Sequence, residues 1–210
     1  MKIAVLGAGN VGGALGTGWA KKGHAVRFGV RDASDPKVQS ALQAAGPNAK
    51  AATLPEAIAF ADVVVLTVPA NTAEEVLRSA GDLAGKILLD CTNPLKPDLS
   101  GLTLGLSTSQ GEQIAKVAPG ARVVKIFNST GFDNMADSHY PDGPVSMFYC
   151  GDDASAKEVA AELASDLGFE PVDSGPLTSA RLLEPLSLLW ITLSYKQKLG
   201  RGIAFRLIKR

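Results

Sequence analysis

Short runs of β-branched and aliphatic residues alternate along the chain with segments whose apolar positions recur every three to four residues. This alternation predicts an α/β protein in which a parallel sheet is joined by helical crossovers. Strands are predicted over residues 2–6, 25–29, 49–52, 63–68, 86–90, 122–127, 146–150 and 170–173. Val63-Val64-Val65-Leu66 has no polar position, as a strand covered on both faces requires. Helices are predicted over 10–22, 36–45, 55–60, 72–80, 107–117, 155–167 and 179–199, with Pro185 kinking or breaking the last. Gly23 and Gly168 follow helical segments where C-terminal caps belong. Two loops, 93–106 and 129–144, leave carboxyl ends of strands, which is where open α/β sheets bind ligands.

The first strand runs into Gly7-Ala8-Gly9-Asn10-Val11-Gly12, and a helical segment follows. This is the G-x-G-x-x-G spacing in the strand–turn–helix context that makes it specific for a dinucleotide. Gly7 permits the tight turn, Gly9 lets backbone approach a pyrophosphate, and Gly12 allows close helix–strand packing. The amides of Asn10 and Val11 then open the helix toward the phosphate. The expected fold is a Rossmann-type doubly wound, mostly parallel sheet with a small helical C-terminal part.

The second strand ends in Val30-Arg31-Asp32-Ala33-Ser34. An acid here would bind the ribose diol of NAD, whereas an arginine would pair with the 2′-phosphate of NADP. Val30 stands where the acid usually sits, and 32–36 reads as a turn and cap before a helix. Asp32 lies about 20 residues past the glycines, where an NAD-type acid could sit, but Arg31, with Ser34 adding a hydroxyl, points to NADP over NAD. The next tips, Thr67-Val68-Pro69 and Asn93-Pro94, should flank the cofactor as it crosses the sheet edge. Asn93 is either a nicotinamide contact or the initiator of an Asn-Pro turn. The sixth strand ends in Phe127-Asn128-Ser129-Thr130-Gly131-Phe132, whose small polar residues are expected to line the nicotinamide and acceptor face, with Phe127 or Phe132 as an apolar wall.

Composition narrows the chemistry. Of 210 residues, 46% are apolar and 20% charged, and Lys+Arg 21 balances Asp+Glu 21, which argues against a nucleic-acid binder. Only two cysteines, Cys91 and Cys150, and two histidines, His24 and His139, are present. That leaves no disulfide scaffold and no Cys/His zinc cluster. Cys91 reads as a small filler, His139 as an exposed loop residue, and Asp152-Asp153 as a helix cap rather than a metal site. No signal peptide or membrane-spanning run is evident, so a cytoplasmic protein without a membrane partner is expected. The segment beginning at 179 is apolar nearly all round, so it belongs at a subunit interface or a substrate pocket. Arg181 and Glu184, three apart, read as a mutual ion pair. The basic stretch 196–210 reads as a solvated tail or a contact for an anion.

The glycine loop with Arg31, the strand end Cys150-Gly151-Asp152-Asp153, and Asp173-Ser174-Gly175-Pro176-Leu177 followed by Arg181-Leu182-Leu183-Glu184 form a distinctive set. They resemble the NADPH-dependent reductases of the deazaflavin coenzyme F420 from end to end. The chain is also similar to the cytosolic domain of six-transmembrane ferric reductases, where NADPH reduces a flavin. The resemblance implies a nucleotide domain over 1–150 and a small substrate and dimerisation part over 151–210. It further implies a homodimer and direct hydride transfer between NADP and F420, a flavin or a similar planar acceptor, without a dedicated acid or base. By position Arg31 would hold the 2′-phosphate. A serine precedes that arginine in those reductases, and Val30 stands here instead. A β-hydroxyacid dehydrogenase or pyrroline-carboxylate reductase relative is a competing reading. The former needs a helical lysine, and 178–190 has none. A non-enzymatic NADP sensor is a third.

Overall fold

The computed structural model describes residues 1–210. Eight strands, β1 (Lys2–Leu6), β2 (Ala25–Gly29), β3 (Ala49–Ala52), β4 (Val63–Leu66), β5 (Ile87–Asp90), β6 (Arg122–Lys125), β7 (Ser146–Gly151) and β8 (Glu170–Asp173), form one sheet. Their order is β3-β2-β1-β4-β5-β6-β7-β8. Neighbours pair in parallel except β6 and β7, which meet antiparallel through Val124–Gly151 and Lys125–Cys150. After β3 the chain crosses back over β1 to lay down β4. The reversal of strand order lies between β1 and β4, where a doubly wound sheet opens its ligand crevice.

Eight helices cover the sheet: α1 (Asn10–Lys21), α2 (Pro36–Ala45), α3 (Leu54–Phe60), α4 (Ala70–Ala80), α5 (Gln110–Val117), α6 (Phe132–Ala136), α7 (Ala154–Asp166) and α8 (Ala180–Ile191). Because successive strand side chains face opposite ways, two apolar layers result. Ile3, Val5, Val63 and Val65 pack with Leu15 and Trp19 of α1 and Leu163 of α7. Ala4, Leu6, Val64 and Leu66 pack with Ile58, Leu77 and Ile114 from α3, α4 and α5. The boundary expected at residue 150 falls inside β7, and sheet and core run across it. Trp19 Nε1 donates to the Leu163 carbonyl at 2.9 Å, tying α1 to α7.

Several elements differ from their predicted extents, β4 ending at Leu66 and α5 starting at Gln110 among them, and three departures have a clear local reason. β6 stops at Lys125 because Phe127 takes a left-handed backbone, φ +57°, and turns the chain. The loop 129–144 contains the short helix α6, whose Met135 is buried in the core. α8 passes through Pro185 on its exposed side, then widens at Thr192–Lys196 and ends. The remainder is a strap rather than a free tail. Trp190 Nε1 and Asn134 Nδ2 both donate to the Ile203 carbonyl, at 2.7 and 2.9 Å, and Ser146 N donates to that of Phe205 at 3.0 Å. Arg201 pairs with Asp133 and lies 4.4 Å over the Phe132 ring, and Arg206 donates to the Asp142 carbonyl.

Candidate dinucleotide site

The glycine loop adopts the conformation its three glycines were expected to allow. Gly7 has φ +100°, which a side chain rarely tolerates. At Gly12 a Cβ would lie 2.0 Å from the Gly7 carbonyl oxygen, so only glycine lets α1 approach β1 this closely. A Cβ at Gly9 would meet nothing within 4 Å, which leaves open space directly over the backbone. No side chain caps α1 and no acid stands in its first turn, so the amides that begin at Asn10 and Val11 face outward unneutralised. Thr67, expected as a cofactor contact, turns its hydroxyl onto the loop, 2.9 Å from the Leu6 carbonyl and 3.1 Å from that of Gly7. Its role here is to brace the turn.

Gly7, Gly9, Val30, Arg31, Val68 and Pro69 line one cleft of about 440 Å³. Arg31 is exposed there and makes no ion pair within the chain. Asp32 is engaged in its own turn. Its Oδ1 accepts from the Ser34 hydroxyl at 2.6 Å and the Ser34 amide at 2.8 Å, which hold the carboxyl below its usual range. Ser34, expected to offer its hydroxyl to a ribose, is thus committed to Asp32. Asp35 caps α2, accepting from Lys37 N at 2.8 Å.

At the tips of β5 and β6 two asparagines clasp each other. Asn93 Nδ2 donates to the Asn128 carbonyl at 2.9 Å, and Asn128 Nδ2 donates to Asn93 Oδ1 at 3.1 Å and to the Leu183 carbonyl at 3.0 Å. Asn128 Oδ1 is buried and receives no hydrogen bond. Pro94 is buried behind the clasp. Phe127, expected as a wall of the slot, instead faces the core, edge-on to Trp19 at 5.6 Å and Phe169 at 6.4 Å. Its left-handed backbone sends the ring inward while leaving Asn128 at the tip. Ser129 is also buried, and Thr130 is half-buried with its hydroxyl accepting from Asn134 Nδ2 at 2.8 Å. Four residues expected to line one surface are therefore split between core and rim.

Beneath the clasp lies a group that the sequence reading missed. Lys125 is fully buried, with Nζ 2.9 Å from Asp90 Oδ2 and 3.0 Å from Glu184 Oε1, and it also donates to the Thr92 carbonyl. Glu184 accepts from the amides of Gln110 and Gly111, at 3.0 and 3.1 Å, at the start of α5. Asp90 Oδ1 accepts from the Thr92 amide and hydroxyl at 2.9 and 2.7 Å. Burial works to lower the Lys125 pKa, but Asp90 and Glu184 outweigh it and raise it, so the amine stays charged. A lysine flanked by Val123-Val124 and Ile126-Phe127 was the available signal. The Arg181–Glu184 pair expected from spacing does not form. Arg181 reaches Glu112 on α5 through two hydrogen bonds of 2.9 and 2.6 Å, while Glu184 turns inward to Lys125. Spacing alone could not show that each residue has a partner on another element, Arg181 on α5 and Glu184 on α5 and β6.

The remaining titratable candidates are quiet. Burial raises the Cys91 thiol far above its usual range and pushes Cys150 up to about 12. His139 is exposed. Asp153 caps α7 through Ala156 N at 2.7 Å, and Asp152 accepts from Leu177 N at 2.9 Å. No helix is long and apolar enough to cross a membrane.

Comparison with known proteins agrees with this geometry. Residues 2–94 match the family described as NADP oxidoreductase coenzyme F420-dependent. The F420-dependent NADP reductase of Methanothermobacter thermautotrophicus is 32% identical over 94% of this chain and 91% of its own. The rat protein Metalloreductase STEAP3 is also 32% identical, over 90% of this chain, but the chain spans only 37% of its length. A crystal structure of a candidate F420-dependent NADP reductase from Arthrobacter sp. FB24 superposes with a TM-score of 0.89 at 34% identity, covering both chains fully. The chain belongs to the F420-dependent NADP reductase family and is an NADP(H)-binding oxidoreductase.

Proposed function

We propose that this oxidoreductase exchanges hydride between NADP(H) and a planar deazaflavin or flavin acceptor, with a deazaflavin of the F420 type favoured by the relatives. One observation carries the reading. The titratable groups under the β5 and β6 tips, Asp90, Lys125 and Glu184, are consumed by one another, and the half-buried polar groups at the tips are the Asn93 amide and the Thr130 hydroxyl. Reduction of a ketone or imine calls for a positioned proton donor. A bound nicotinamide supplies the hydride itself, and a deazaflavin or flavin takes its proton from solvent. The chain's task is then to bind, align and keep the crevice dry.

The glycine loop and the amides of Asn10, Val11 and Gly12 would hold the pyrophosphate over the gap at Gly9. Arg31 would fork onto the 2′-phosphate, with Asp32 and Ser34 withdrawn into their turn. Val68 and Pro69 would border the path toward the Asn93–Asn128 clasp. Thr130 at the rim would meet the acceptor. Leu182 and Leu189, 70% and 47% exposed one heptad apart on α8, would pair with a second copy of the chain. Both cysteines are buried and free, which suits the reducing cytoplasm.

Stopped-flow oxidation of bound NADPH tests the acceptor. F420 should oxidise it fastest, followed by FMN or FAD, and a ferric chelate only when a flavin is present. Tight NADPH binding with no oxidation by any of these would overturn the enzyme assignment in favour of a sensor.

A further inference from the structure

The triad beneath the clasp is a poor device for stability alone. Removing three charges from water is costly, and apolar side chains of similar size often serve as well or better. Its placement is what distinguishes it. Lys125 holds the Thr92 carbonyl, immediately before Asn93, together with Asp90 at the end of β5, and Glu184, immediately after Leu183. Asn93 and the Leu183 carbonyl are the two groups to which Asn128 Nδ2 donates. Two residues after Lys125, Phe127 turns through its left-handed conformation and delivers Asn128 to that point. One ammonium therefore fixes both acceptors of Asn128, and the route that brings Asn128 there starts from the same strand end. The one hydrogen-bonding atom of this assembly left without a partner is Asn128 Oδ1.

We propose that Lys125, with Glu184 and Asp90, is a positioning residue that holds the Asn93–Asn128 clasp in register for the nicotinamide end of the cofactor. This rests on the reading that the nicotinamide seats at the β5 and β6 tips. Lys125 touches no reacting atom and acts through Asn128. It ties α8 and α5 to the strand tips, so a shift of α8 is transmitted to the same clasp.

The double variant Lys125→Met/Glu184→Gln removes one group of each sign, so the formal charge balance of the triad is kept. Equilibrium affinities for NADPH and for 2′,5′-ADP, which lacks the nicotinamide half, should part company in it. Affinity for 2′,5′-ADP should stay within about twofold of wild type, while that for NADPH falls about tenfold. The emission lifetime of bound NADPH should shorten as its ring loses a rigid seat. Glu184→Gln alone, which keeps the Lys125–Asp90 pair, should weaken NADPH about threefold and shorten its emission lifetime while leaving 2′,5′-ADP unchanged, and decides the matter if the double variant loses its cooperative melt. Equal weakening of both ligands, or of neither, would refute the positioning role. If wild type binds NADPH no more tightly than 2′,5′-ADP, the nicotinamide has no seat at these tips, and the underlying reading falls together with the proposal.

Discussion

Arg181 on α8 grips Glu112 on α5 through two parallel hydrogen bonds, and this pair closes the outer side of the same helix contact that Glu184 closes from within. The Arg181 guanidinium first, then the Ser109 hydroxyl, hold the Glu112 carboxyl down to about 2, against its partial burial. Such a depressed pKa adds stability that is fully present above the ordinary carboxylate value of 4.5 and disappears as pH falls from there through about 2. Arg181→Ala should therefore lower stability at pH 7 by about 1 kcal/mol, and the deficit should narrow below about pH 4.5. Urea unfolding at pH 7, 5, 4 and 3 checks this. A deficit that stays constant across the series would mean the arginine contributes through packing alone.

Gly9 and Gly12 make opposite predictions although both belong to one motif. Gly12→Ala drives a methyl into the Gly7 carbonyl and should destabilise the fold by about 3 kcal/mol. Gly9→Ala enters open space and should change stability by less than about 0.5 kcal/mol. Yet Gly9→Ala should weaken NADPH binding at least about tenfold, by occupying the approach to the pyrophosphate. Thermal melts paired with fluorescence titration separate the two. Unchanged NADPH affinity in Gly9→Ala would contradict the cradle.

Arg31 carries the preference between cofactors. Arg31→Ala should weaken NADPH binding about ten- to a hundredfold and NADH binding by less than about twofold, since only the former loses charge-assisted bonds to a 2′-phosphate. Equal losses for both nucleotides would place the phosphate elsewhere.

The exposed leucines of α8 should be visible in solution. Wild type should sediment as a dimer, and Leu182→Glu/Leu189→Glu as a monomer with an unchanged circular dichroism spectrum. A variant that remains dimeric would move the interface off this helix.

What the sequence disclosed and what it withheld divide along a physical line. Runs such as Val63–Leu66 report on their own burial, and the glycine spacing reports on a turn only a few residues long, so the strands and the phosphate loop were legible. Partnerships across the sheet were not. Arg181 and Glu184 sit three apart, but their partners lie on α5 and β6, far away in the chain. Phe127 looked like a site residue because it ends a strand, and only its positive φ reveals that the ring turns back into the core. Lys125 has no place in the sequence-based reading of the site, although a fully buried amine demands carboxylates that the chain must bring from elsewhere.

The bond from Trp19 to Leu163 also bears on how the chain matures. Trp19 and Leu163 lie 144 residues apart in the chain, so during synthesis the inner face of α1 has no lid until α7 follows. A nascent chain halted near residue 150 would display Leu15, Trp19 and Phe127 to solvent, with one edge of β7 unpaired. Burial of the inner face of α1 is thus deferred until α7 is complete, and a chain interrupted before it exposes apolar surface of the kind that misassembles.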